Sequence, residues 1–377
     1  MYVQWEISVS AEQGYVLREA DLLPLSIGAA LLGTGGGGNP YIGMLRTREL
    51  FRKGASVRVL PLDALPDDAW VGTVGSIGAP VIGVEKISEG AECFRAMRAV
   101  EEAAGTKMAA LIAAEIGGAN AMAPIITAAQ AGLPVVDGDG MGRAFPEVQM
   151  STFAIYADGS REGLAAIADD KGNVVVIRKC VDARWLERFA RTIVVDMGAG
   201  AGAAGAPMPM EFVRRAAIPG TVTQALEIGH AVLAARAKKQ NVIERVIDVI
   251  HGKLFFVGKI VDVARELKGG FVRGQANLLG LDRWTGSEAR IAIQNENLVL
   301  WIDGAPVLMV PDLIMNLELD TGEPITTEML RYGQRVAVIG MPVHELMRTP
   351  RALEVVGPQA FGYPELKYMP LVRGANG

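Results

Sequence analysis

Residues 108–136 constrain this chain more than any other segment. MAALIAA (108–114) is a short apolar run of strand type, and AMAPIITAAQA (121–131) is an apolar helix pattern with Asn120 at its N-cap and Gly132 at its close. PVV (134–136) then begins a second strand. Strand, helix and strand in that order pair only through a crossover that makes the strands parallel. Parallel sheets carry helices on both faces. The fold expected is therefore α/β, with a three-layer N-terminal domain on a largely parallel sheet.

The flanking sequence extends the pattern. DLLPLSIGAALL (21–32) reads as a buried helix with Asp21 at its N-cap, and PYIGMLRTRELFRK (40–53) as a second helix. SVRVL (56–60) and WVGTVGSIG (70–78) are strand-like, while residues 88–105 have a Ser N-cap, an alanine-rich body and a closing Gly. FAIYADGSREG and DDKGNVVVI, within 153–177, read as hairpins with D-G and K-G turns. A helix over 182–191 and a strand TIVVDMG (192–198) are expected next. GAGAGAAGAP (198–207) is the low-complexity stretch and reads as a mobile loop or hinge. Thr-x-x-Gln at 221–224 predicts a capping box opening a helix over 221–238. Beyond residue 241, alternating apolar runs broken by glycines predict an all-β, barrel-like second domain. The expected domains are 1–245 and 246–377, with 153–200 assignable to either.

Composition narrows the function. Half of the 377 residues are apolar and 21% are charged, as in a well-buried globular chain of enzyme size. A net charge of −5, with no Lys/Arg run longer than two, argues against a nucleic-acid surface. No span approaches the roughly 20 apolar residues of a membrane helix, and no signal-peptide pattern opens the sequence. Cys93 and Cys180 form no C-x-x-C motif. A cytoplasmic protein is expected, without nucleic-acid or membrane partners.

GTGGGGNP (33–40) spells G-x-G-x-x-G through Gly33, Gly35 and Gly38. A dinucleotide site needs a strand before the glycines, and here the preceding element reads as a helix, although Asp63 falls where a ribose-binding acid would sit. No Walker loop exists, for want of Gly-Lys-Ser/Thr. Thr34, Gly35, Gly36, Gly37, Gly38 and Asn39 can still aim backbone N–H groups at an anion or polar ligand ahead of a helix. The alternative is a tight helix–helix turn. Four consecutive glycines cost more backbone entropy than a turn requires, which favours a ligand-facing loop.

AEIGGAN (114–120) and VDGDGMGRAFPE (136–147) carry the acidic residues of interest. Glu115 follows one strand and Asp137 the next, so both carboxylates are expected at the carboxyl edge of the sheet, where α/β ligands bind. Gly117 and Gly118 would let a substrate approach backbone. Asp137, Asp139, Glu147 and Arg143 form a polar constellation with Glu115 nearby. Such carboxylates can divide acid and base duties or hold a divalent metal through oxygen; the D-G-D-G run can also be plain turn chemistry. His230, His251 and His344 lack metal-ligand spacing, and no G-x-S-x-G elbow occurs. No cofactor is otherwise evident.

Together, Gly33-Thr-Gly-Gly-Gly-Gly-Asn-Pro40, Glu115-Ile-Gly-Gly-Ala-Asn120 with Pro124, and the run from Asp137 to Glu147 followed by Gln149 resemble the S-methyl thiohydantoin desulfurase family. The resemblance continues through Pro311-Asp-Leu-Ile314, Asp320-Thr-Gly-Glu-Pro324, Gly333-Gln-Arg-Val336 and Phe361-Gly-Tyr363. It implies a three-layer α/β domain followed by a barrel-like domain, and hydrolytic removal of the sulfur substituent of a five-membered ring to give a hydantoin and a thiol. That chemistry would use Asp137 or Asp139 as base, Glu115 or Glu147 as acid, the backbone at 35–38 as an electrostatic cradle, and Arg143 as a clamp on a substrate carboxylate. Asn120 is counted with the substrate-binding residues. Rival readings are a non-catalytic, ligand-binding partner of a hydantoinase and a nucleotide-dependent enzyme. The β-rich part would cover the cleft or mediate assembly, and a homo-oligomer is expected. Asp312, after Pro311, reads most simply as a turn residue.

Overall fold

The computed structural model describes residues 14–78, 82, 86–157, 159, 163–268 and 271–372. The first sheet takes β1 (Tyr15–Leu17), β2 (Val57–Leu60), β3 (Trp70–Gly78), β4 (Ala110–Ala113), β5 (Val135–Asp139), β6 (Ala165–Ala168), β7 (Val174–Ile177), β8 (Gly200–Gly205), β9 (Met208–Pro209) and β10 (Ile218–Pro219). Its order is β1-β2-β5-β4-β3-β8-β6-β7, with β9 added to β3 and β10 to β5. The central strands β2, β5, β4 and β3 are parallel, as the crossover over 108–136 requires.

Helices cover both faces. On one lie α1 (Leu22–Leu32), α2 (Tyr41–Arg52), α3 (Glu92–Ala104) and α4 (Ala123–Ala131). After the short α5 (Thr152–Ile155) come α6 (Ala183–Asp196) and α7 (Met210–Ala216), whose apolar faces close the other side. Then α8 (Thr221–Ala237) returns to pack on α1, and α9 (Val242–Ile250) leads onward. The α1–α8 crossing is a backbone contact: a Cβ on Gly28 would lie 1.8 Å from the Ala225 carbonyl oxygen, and one on Gly229 equally close to that of Pro24.

The second sheet is wholly antiparallel: β11 (Lys253–Lys268), β12 (Phe271–Gly280), β13 (Glu288–Gln294), β14 (Glu296–Ile302), β15 (Ala305–Met309), β16 (Leu313–Glu318) and β17 (Arg335–Met341), in the order β15-β14-β13-β12-β11-β17-β16. It curls into a half-barrel. Its interior is apolar, with Phe256, Leu278, Ile291, Ile314 and Val338. Its outer side joins the core of the first part, where Leu298, Leu313 and Met315 share one cluster with Leu25, Leu32 and Leu226.

Several local expectations are corrected. GAGAGAAGAP is no hinge: β8 lies between β3 and β6, and its small residues let α3 rest directly on it, since a Cβ on Gly202 would come 2.4 Å from the Cys93 nitrogen. TIVVDMG continues α6 instead of forming a strand, because Ala190 and Val194 are buried at helical spacing, with Asp182 as the N-cap. FAIY in 153–156 enters α5 and the turn after it; in the hairpin reading the D-G turn includes Asp158, which lies outside the described residues, while the K-G hairpin forms as β6–β7. Ser88 and Asn120 are not caps of α3 and α4, whose N-cap positions are Ala91 and Met122. The Thr221 capping box is absent, because a carboxylate elsewhere in the chain takes the first N–H groups of α8. No helix among the described residues is long and apolar enough to cross a membrane.

Candidate functional site

The glycine loop joins α1 to α2, so the strand that a dinucleotide loop requires is a helix here. Its backbone is engaged by protein rather than held open. Gly36 N–H donates to the Gly33 carbonyl, Ala119 N–H to those of Gly37 and Gly38, Asn297 N–H to that of Thr34, and Thr327 N–H to that of Gly35. Gly117 and Gly118 pack against the same loop: a Cβ on Gly37 would come 2.5 Å from the Gly117 carbonyl oxygen. The loop's carbonyls are thus taken up in an interlock of backbones, and of the N–H groups expected to face a ligand, those of Thr34 and Gly36 go to the carbonyls of Leu31 and Gly33. Only its outer end is open, with Gly37 and Gly38 half-buried and Asn39 exposed, its side chain accepting from Tyr41 N–H.

Gly36 shows what the interlock serves. A Cβ there would sit 2.1 Å from Oε1 of Glu296, the first residue of β14. This carboxyl group, which sequence reasoning missed, is buried against the loop, and the Gly37 N–H supports it. Burial, together with the charge of Glu115, pushes its pKa well above the ordinary carboxylate value, and Oε2 has no hydrogen-bond partner.

Glu115 sits just past β4, at the carboxyl edge. Oε1 accepts from Asn120 Nδ2 and Oε2 from Phe145 N–H at 3.0 Å. Asn120 in turn pairs with the backbone of the exposed Ser76, accepting its N–H at 2.6 Å. The Glu115 carboxyl therefore lies close beneath the surface at the end of β3. Burial raises its pKa to about 7, the charge of Asp139 adding to this and the two N–H donors and Arg143 opposing it.

Arg143 lies between these acids, fully buried. Nε donates to the Ala144 carbonyl, Nη1 to those of Pro311 and Asp312, and Nη2 to Thr34 Oγ1 at 2.8 Å and the Asn297 carbonyl. Its guanidinium also lies over the Phe145 ring, 4.6 Å from the centroid. Burial lowers its pKa, against which Glu296, Asp312 and Glu115 favour the cation. The expected clamp on a substrate carboxylate is corrected: these donors are spent on protein oxygens from both halves.

The other acids have structural partners. Asp137 caps α8, with Oδ1 accepting from Val222 N–H at 2.9 Å and Thr223 N–H at 3.2 Å, and Oδ2 from Thr223 Oγ1. Asp139 Oδ2 gathers the N–H groups of Ile116, Met141 and Gly142 at 2.8–3.0 Å, holding the loops after β4 and β5 together. Burial raises its pKa to about 7 as well. Glu147 accepts from Gln149 and lies toward α6, beside Glu187. Asp312 is no simple turn residue: fully buried, it accepts from Val343 N–H, Arg348, Tyr368 Oη and Leu371 N–H. Asp63, on the strand-end position considered for a ribose, pairs with Arg214.

No three His, Cys, Asp or Glu side chains among the described residues assemble into a metal-holding group. The broad cleft of ≈ 1690 Å³ between β1, α8 and α9, lined by Tyr15, Arg18 and Glu244, has none of these acids on its walls. The chemistry is concentrated where the glycine loop, the carboxyl edge of the first sheet and the start of β14 meet.

A mixed α/β sheet joined through a buried polar cluster to an antiparallel half-barrel defines the class of protein. The same architecture occurs in a crystal structure of a protein from Chromobacterium violaceum, 26% identical, with a TM-score of 0.80 over 95% of this chain and 100% of that one. Models of the S-Me-THD-like N-terminal and C-terminal domains match residues 20–179 and 181–371. The chain belongs to the S-Me-THD-like family. Among curated proteins none matches it.

Proposed function

We propose that this protein hydrolyses the exocyclic C–S bond of an S-methyl thiohydantoin or a closely similar cyclic amidine. Family membership supports the reaction class. The observation that carries the mechanism is a pair of buried carboxyl groups in unequal surroundings. Glu115 accepts two N–H bonds, which favour its ionised form, whereas Glu296 has one oxygen without a partner and holds its proton above the ordinary range. Glu115 is thus the base and Glu296 the acid.

The base draws a proton from water as its oxygen adds to the ring carbon bearing sulfur. Addition places the C=N electron pair on the ring nitrogen; as the C–S bond breaks, the acid protonates the departing methylthio group and the new hydroxyl gives its proton to that ring nitrogen, so the products are the ring carbonyl with its N–H and methanethiol. Arg143 offsets the one negative charge that the pair carries in a dry site.

The test is thiol release from an S-methyl thiohydantoin by the purified protein. Release should fall by about 10²–10⁴ in Glu115→Gln and in Glu296→Gln, with the fold retained, and should persist with a chelator present. Absence of release by the unaltered protein would remove the reaction and leave a ligand-binding, accessory role to a hydantoinase-type enzyme.

A further inference from the structure

Along β16, Leu313, Met315 and Leu317 face the core shared with the first part, while Ile314 faces the half-barrel interior. Asn316 falls on the same side of the strand as Ile314. It is 2% exposed, yet neither Oδ1 nor Nδ2 has a hydrogen-bond partner. An amide group so placed forfeits the hydrogen bonds it made to water, a cost that a leucine would avoid. Its neighbours repeat the pattern. Asn297, fully buried, donates through Nδ2 to the Ile314 carbonyl at 2.9 Å, but its Oδ1 is unpartnered, as is Oε2 of Glu296.

The backbone ties these groups to one place. Asn297 N–H and Thr327 N–H hold the carbonyls of Thr34 and Gly35, and Ile325 N–H holds that of Asn316. The inner end of the glycine loop, the start of β14 and the free edge of β16 therefore meet around Asn297. Arg143, the cation beside them, is committed to protein oxygens, so the groups offer a ligand hydrogen bonds without a positive charge. An anionic substrate end is disfavoured there. A neutral ring amide would match the open groups: its N–H would meet the Asn316 oxygen and its C=O the Asn316 nitrogen, a reciprocal pair that an amide side chain makes in one plane.

We propose that Asn316, assisted by the Asn297 oxygen, is the specificity-determining residue that reads the –NH–CO– edge of the ring. The identity of that ring rests on the reaction proposed above. Sites built to bond an N–H or O–H reject analogues lacking it far more strongly than apolar pockets reject a methylene.

The experiment measures binding of hydantoin and of 1,3-dimethylhydantoin by calorimetry, with thiol release followed in parallel. The wild type is expected to prefer hydantoin by about tenfold or more; Asn316→Leu should erase most of that preference and raise KM while kcat stays within about threefold. Asn316→Ser, which leaves a smaller polar group, should lie between. Equal binding of the two rings by the wild type, or of neither, overturns the proposal without any variant having to fold. Thiol release with an unchanged KM in a folded Asn316→Leu also overturns it, while the proposed reaction stands. Ring discrimination that depends on Asn316 in a protein releasing no thiol has the reverse meaning, sinking the reaction alone.

Discussion

Each oxygen of Glu115 accepts one N–H, yet burial beside Asp139 outweighs those donors and lifts the group from 4.5 to about 7. A carboxyl that holds its proton more tightly folded than unfolded stabilises the fold fully below the unfolded value, and that contribution disappears as pH rises through the folded one. Stability should therefore decline between about pH 5 and 8, by on the order of 2 kcal/mol for this residue. Urea midpoints across that range should fall less steeply in Glu115→Gln, which removes this contribution and leaves those of the other buried acids with raised pKa, Asp139 and Glu296 among them. Turnover should run the opposite way: the base must be ionised, so kcat/KM climbs through about 7 before Glu296 gives up its proton at higher pH. Asp137 illustrates the limit of reading acids from sequence. It has the residue type and strand position of a base, but its oxygens take the N–H groups of Val222 and Thr223. Asp137→Asn should cost about 1 kcal/mol and leave thiol release within about threefold of wild type; lost turnover at an unchanged melting temperature would return it to the chemistry. Glu115 and Arg143 stood out because they follow strand and glycine signals, but with other roles: Glu115 was expected as an acid and is proposed as the base, and Arg143 was expected to clamp a substrate carboxylate and instead bonds protein oxygens. Glu296 and Asn297 did not stand out, since QNENL between two strands looks like a solvated turn until a loop from the distant N-terminal half is laid over it.

At the level of elements, the parallel strands and the helices closed by Gly105 and Gly132 were readable because their periodicity is local, whereas the expected N-caps Ser88 and Asn120 and the Thr221 capping box did not form. β8 and the end of α6 were not readable, because their assignments depend on neighbours. An Ala/Gly run becomes a central strand only when a helix needs a side-chain-free surface beneath it, and IVV becomes helical only when Val194 meets Ile167 and Ala201 in one small cluster. The same dependence makes the α1–α8 crossing a sensitive test. Gly28 and Gly229 let the two backbones touch, and α1 sets the position from which the glycine loop starts. Gly229→Ala places a methyl into the Pro24 carbonyl, for which the helices must separate. A loss of about 1–3 kcal/mol is expected in thermal or urea unfolding. Because the loop would shift away from Glu296, thiol release should fall even at temperatures where the variant is fully folded. Unimpaired release in a destabilised variant would detach the helix crossing from the site.

Across the whole molecule, the two parts are joined by more than a linker. One apolar cluster runs from α1 and α8 into β14, β16 and β17, and two buried charges hold the seam. Arg143, from the loop after β5, spans to the carbonyls of Pro311, Asp312 and Asn297. Asp312 then fixes Arg348, Tyr368 and Leu371 of the C-terminal segment through its side chain. A shared core and a shared polar seam predict one cooperative unfolding transition rather than two. Arg143→Met removes the cation that offsets the buried acids around it and leaves the carbonyls of Ala144, Pro311, Asp312 and Asn297 without that donor, and should cost about 3–5 kcal/mol. Asp312→Asn keeps the shape but replaces one acceptor oxygen with an NH₂ group facing N–H or O–H donors, which its neighbours cannot satisfy. Its effect should concentrate on the segment it fastens: hydrogen exchange at the Leu371 amide, held at 2.7 Å to the carboxylate, should accelerate well before exchange in β4 or β5. If both variants instead produced a second transition, with the first sheet keeping its wild-type midpoint, the seam would be an attachment between independent domains and Glu296 would reach its site only after they dock.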